Sequence, residues 1–74
     1  MEIITSKHKD EERNSYYVAE FKNPITGVVD LRSVLGIGST KQIAVQVLKE
    51  LAIEAVNKVH RNLLNIVEMI AKAS

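Results

Sequence analysis

The sequence predicts an α+β fold: an antiparallel β-hairpin, extendable to three strands by an N-terminal strand, then one long C-terminal amphipathic α-helix, the whole paired as a homodimer. Three observations predict it. Residues 16–22 (YYVAEFK) and 28–35 (VVDLRSVL) alternate apolar and polar side chains on either side of NPITG. Neither Gly nor Pro occurs from Thr40 onward. In that same stretch the apolar positions recur at helical spacing.

Residues 1–15 open the chain. Ile3, Ile4 and Thr5 have strand propensity and suit a short edge strand. Lys7 to Asn14, KHKDEERN, is a charged run that reads as a solvated loop.

Residues 16–35 read as the hairpin. Pro24 presets a turn φ and Gly27 accepts a left-handed one. Opposite charges set the register: with Phe21 opposite Leu31, Lys22 faces Asp30, Glu20 faces Arg32 and Val18 faces Val34. Tyr17, Ala19, Phe21, Val29, Leu31 and Leu35 then point to a core, and Glu20, Lys22, Asp30 and Arg32 to solvent. The segment Gly36–Thr40 ends the second strand. Ser39 is the expected N-cap of the helix, with Gln42 completing a capping box.

Residues 39–73 read as the helix. Ala44, Val45, Leu48, Leu51, Ala52, Ala55, Val56, Val59, Leu63, Ile66, Val67 and Ile70 share one side at 100° per residue. Glu54–Lys58 and Glu68–Lys72 are ordered for i,i+4 pairing. Asn57, His60, Asn62 and Asn65 are a local weakness where the helix can bend or break. A helix of about 34 residues runs roughly 50 Å, whereas a seven-residue strand spans roughly 23 Å. The hairpin therefore covers only the first half. Either the chain folds back near Asn62 or a second chain covers the rest. No Gly or Pro is present to make that turn, which favours the second chain. The expected oligomer interface is Leu48, Ala52, Ala55, Val59, Leu63, Ile66, Val67 and Ile70, spaced like a coiled-coil seam.

Composition narrows the function classes. The 74 residues are one small domain, a size that buries about 60% of its unfolded surface and is marginal alone. There is no cysteine, hence no disulfide or thiolate metal site, and two histidines make no ligand cluster. No cofactor is expected. The net charge of +1 implies no bulk attraction to nucleic acid or lipid. No apolar run approaches the roughly 20 residues of a membrane span. An intracellular, cytoplasmic, non-enzymatic protein is the expectation.

Local features supply candidate sites. Gly36, Gly38, Ser39 and Thr40 precede a helix and suit an anion or nucleotide, although a plain strand-to-helix connection with a cap is the stronger reading. Lys7, Lys9, Arg13, Lys22, Arg32 and Lys41 are the candidate nucleic-acid contacts. Tyr16, on the solvent side beside Lys22 and Arg32, can stack on a base or a partner surface, although packing at the strand edge is the stronger reading. His60 borders the apolar face and reads as an interface histidine.

YYVAEFKNPITGVVDLR followed by GIGSTKQIAVQVLKEL resembles the arm-binding N-terminal domains of phage-type tyrosine integrases. Those domains have an aromatic strand, a D/N-P-x-T-G turn, a second strand and G-x-x-T-K-x-x-A opening a helix. The resemblance covers roughly residues 16–51 and implies DNA binding. This chain departs from that pattern in its second strand, where VVDLRSV carries Asp30 in place of a strongly basic run, and in its longer helix.

The leading expectation is a homodimeric interaction protein whose partner is another protein. A DNA- or RNA-binding regulator comes second, and a small-anion or nucleotide binder third.

Overall fold

The computed structural model describes residues 1–26, 29–59 and 63–74, with the side chains of Thr26 and Val59 outside that description. Five strands and two helices follow one another: β1 Ile3–Lys9, β2 Ser15–Phe21, β3 Ile25–Thr26, β4 Val29–Asp30, β5 Gly36–Gly38, α1 Lys41–Val59 and α2 Leu64–Ala71. The α+β class holds. A three-stranded antiparallel sheet in the order β1-β2-β5 packs against α1, and β3 and β4 form a separate two-stranded ladder.

The sheet differs from the predicted hairpin. The partner of β2 is β1, with Ile3 opposite Phe21 and Lys9 opposite Ser15. The expected pairing of Phe21 with Leu31 does not form. Two local clusters of hydrogen bonds explain the change. Asp10 accepts the Arg13 amide at its carbonyl, and its Oδ1 accepts the amides of Glu12 and Asn14 at 2.9 and 2.8 Å. That is a tight turn whose last residue, Arg13, sits at φ 65°. It converts the charged run into a strand and a hairpin turn. Further on, the Arg32 guanidinium turns back onto Asp30, with Nη2 to Oδ2 at 2.7 Å and Nε to Oδ1 at 3.0 Å. The second predicted strand is cut there, and Leu31 to Val34 closes a turn through the Val34 amide and the Leu31 carbonyl. Lys22 pairs with Glu2 at 3.5 Å instead of facing Asp30. The left-handed Gly27 and the strand start at Val28 lie outside the described residues.

The inward set is largely as the alternation requires. Ala19, Phe21, Val29 and Leu31 are buried, whereas Leu35, expected inside, is exposed. Leu31 reaches the core from a turn, anchored by its amide bond to the Pro24 carbonyl at 2.8 Å.

The glycines do not end a strand; they make one. Gly36 and Gly38 form β5, opposite Ala19 and Tyr17. A Cβ on Gly36 would collide with the Ala44 carbonyl oxygen and come within 2.5 Å of the Leu48 amide nitrogen. Only a residue without a side chain lets β5 lie directly on the α1 backbone. The N-cap is Thr40 rather than Ser39: its Oγ1 accepts the Ile43 amide at 3.1 Å, and no capping box with Gln42 is needed.

The single long helix is corrected to two. α1 ends at Val59 and α2 starts at Leu64. His60, Arg61 and Asn62, where the sequence allows a bend or break, lie outside the described residues. Leu63, preceding α2, has φ −90° and ψ 57°. A negative φ is open to any L-residue, so entry into α2 here requires no glycine. The helix runs back along α1, because the Lys49 Nζ donates to the Ala71 carbonyl at 3.0 Å. Ile66, Ile70 and Ala73 join Ala44, Leu48, Ala52 and Val56 in one buried cluster. The α1 contributions are four residues apart, one straight ridge down the helix. Beyond α2, Ser74 bonds to the backbones of Met1 and Ile3, tying both ends of the described chain to β1.

Candidate interaction surface

Most of the predicted helix interface lies inside the fold. Leu48, Ala52, Ile66 and Ile70 are buried within one chain, and Leu63 and Val67 are half-buried against the same cluster. Ala55 is half-buried. The side chain of Val59 is outside the described residues. The stripe that required a second chain is covered by the first, because the last third of it folds back.

The basic candidates do not converge. Lys7 and Lys9 lie on the helix side of β1, and Arg13 is at the hairpin tip, separated from them along the chain by three acidic residues, Asp10, Glu11 and Glu12. Lys22 and Arg32 sit together at the opposite end of the sheet, beside Glu20 and Pro24, and both are ion-paired. Arg32 holds the Asp30 carboxyl below its ordinary value through side-chain hydrogen bonds, and its own pKa is raised in return. Lys41 opens α1.

The anion candidates are engaged in structure. Gly36 and Gly38 are packed on α1, and Thr40 already caps it. Among the described residues no group of three or more His, Asp or Glu side chains could hold a metal ion. No helix described is long and apolar enough to cross a membrane.

What the fold does assemble is the outer face of the sheet. Alternation places Ile4, Ser6 and His8 on the side away from α1, with Tyr16, Val18 and Glu20 beside them and Ile37 opposite Val18. Ile37 is 58% exposed and Ile4 43%. The rings of His8 and Tyr16 stack with centroids 5.4 Å apart and planes 19° from parallel, and Ser6 Oγ lies 2.8 Å from His8 Nε2. The stack holds two amphipathic side chains in fixed orientation in the open. Sequence reasoning found Tyr16 here and missed Ile4, His8 and Ile37. The missing signal was β1 itself: once Asp10 is read as a turn residue, Ile4, Ser6 and His8 fall on one face.

No protein-family model, no curated protein and no solved structure matches this chain.

Proposed function

We propose that this is a small non-enzymatic interaction protein that binds another protein through the outer face of its sheet. The observation carrying the reading is the composition of that face. Ile4, Tyr16, Val18 and Ile37 offer apolar and aromatic surface, His8 a polar tip, and the middle of the face holds no Lys or Arg. Exposed aromatic and aliphatic side chains suit a protein partner. A nucleic acid is bound chiefly through cations on its phosphates, and the cations here are scattered or paired.

The test is affinity purification from the native host with the wild-type chain, followed by titration of the retained protein against purified wild type and the double variant Val18→Glu, Ile37→Glu. Binding should fall at least about tenfold in the variant. Equal binding by both would overturn the reading, as would salt-dependent binding of duplex DNA at about 50 mM salt with no protein bound. Sedimentation of the free chain identifies a second copy as the partner if association is lost in the same variant.

A further inference from the structure

We infer that the free edge of β1, from Thr5 to Lys9, receives an extended segment of a partner protein in which acidic and apolar residues alternate. The inference rests on the protein-binding reading above and names the chemistry of the segment bound.

β1 is an edge strand. The amide of Ile3 donates outward to Ser74, while the carbonyl of Glu2 points inward to the Lys22 amide. Backbone groups alternate along an antiparallel strand, so Thr5, Lys7 and Lys9 also present theirs outward. Among the described residues nothing pairs with them. The edge is already in use one step earlier: the Ser74 amide donates to Met1 and its carbonyl accepts from Ile3, a bridge in the parallel sense. That bridge shows the edge accepting backbone from outside the sheet, and an added strand would extend the same ladder.

The side chains define the ligand. β1 contains no acidic residue. Lys7 and Lys9 stand opposite Tyr17 and Ser15, and among the described residues neither is in an ion pair. Strand residues beside Thr5, Lys7 and Lys9 on that face would meet two unpartnered ammonium groups, which carboxylates satisfy. The intervening residues would fall on the outer face next to Ile4 and His8, where apolar side chains extend the exposed surface. A second copy of β1 fits poorly: the antiparallel register that overlaps Thr5–Lys9 fully sets Lys7 against its own copy.

The probe is a blocked peptide of alternating glutamate and valine, compared by NMR with one of alternating lysine and valine. The acidic peptide should slow amide exchange at Thr5, Lys7 and Lys9 and leave Ser6 and His8, already bonded to β2, unchanged. The basic peptide should bind weaker by on the order of tenfold. Lys7→Pro removes an outward amide without touching the ladder to β2 and should abolish binding. If that variant fails to fold, Lys7→Glu with Lys9→Glu should reverse the peptide preference. Unchanged exchange at the three amides, or equal binding of the two peptides, overturns the inference. A protein partner that is sensitive to Ile37→Glu and indifferent to Lys7→Pro would remove the edge alone, and indifference to both would remove the broader reading as well.

Discussion

The Lys49 ammonium on α1 donates to the main-chain carbonyl of Ala71 at 3.0 Å, fastening the last turn of α2 to the middle of α1. A cation at a helix C-terminus satisfies an orphan carbonyl and complements the helix dipole. Lys49→Met keeps the aliphatic stem and removes the charge. It should destabilise the protein by about 0.5–1 kcal/mol. Hydrogen exchange should quicken first in α2 and at Ile3, whose amide bonds to Ser74. Uniform quickening across the sheet would show that α2 does not open separately.

Gly36→Ala is expected to be among the most damaging single substitutions. The new methyl would meet the Ala44 carbonyl and the Leu48 amide, both backbone of α1. Neither can move without displacing the helix, so a loss of about 3 kcal/mol or more follows. Gly38→Ala also meets helix backbone, the Ala44 amide nitrogen at 2.6 Å, but its other two neighbours belong to the Ile43 side chain, so it should cost less than Gly36→Ala, whose two nearest atoms are both helix backbone. Urea titrations of the two variants give the order; equal midpoints would refute it.

Arg13 sits at φ 65° with a full side chain. Left-handed backbone costs an L-residue roughly 1–2 kcal/mol, and glycine is free of that penalty at some loss of entropy. Arg13→Gly should therefore stabilise by about 0.5–1 kcal/mol, raising Tm by roughly 2–8 °C in a domain of this size. An unchanged or lower Tm would mean that the arginine side chain makes a compensating contact.

These positions mark how far the sequence could be read. Alternation in YYVAEF correctly set Ala19 and Phe21 inward, because a strand that packs on a helix has no other way to bury them. It could not choose the partner strand. Charge complementarity favoured Lys22 with Asp30 and Glu20 with Arg32, but each basic residue has a nearer acid, Glu2 and Asp30. Exposed ion pairs are too weak to set a register. The helix was legible up to Val59. Four weak helix formers, Asn57, His60, Asn62 and Asn65, signal the break, but the sequence holds no Gly or Pro there to favour it over a continuous helix. Leu63 makes that entry with a negative φ, and burial of Ile66 and Ile70 in the chain's own core rewards the return. The outer sheet face was legible only in part, because β1 lay hidden in a run of charges whose organising residue is the turn-forming Asp10.

The Asp30–Arg32 pair gives a pH dependence with a definite sign. Arg32 lowers the Asp30 pKa below its ordinary 3.8. A carboxyl depressed in the folded state binds its proton more readily when unfolded. Its contribution is present above pH 3.8 and fades as pH falls through the lower folded value. The pair is solvent-exposed, so the effect is small. The stability gap between wild type and Asp30→Asn should be constant at neutral pH and narrow in acid. A gap that widens on acidification would contradict the pairing.

Ile70 tests the fold-back directly. Its side chain is fully buried, in the same core cluster as Leu48 and Ala52 of the same chain. Ile70→Ala removes buried carbon atoms from a core that α1 holds rigid, a loss of about 2–5 kcal/mol. Because the partners are intramolecular, the loss in Tm should be the same across about a hundredfold range of protein concentration. A core shared between two chains behaves differently: association stabilises by mass action, so Tm climbs with concentration and the variant's deficit shrinks. Leu63→Asp separates the cases further. Leu63 is half-buried at the entry to α2, and an aspartate there should loosen that helix without changing the sedimentation coefficient by the factor that dimer dissociation would produce. A concentration-dependent Tm together with a clear fall in mass for Leu63→Asp would replace the folded-back helix with the intermolecular one.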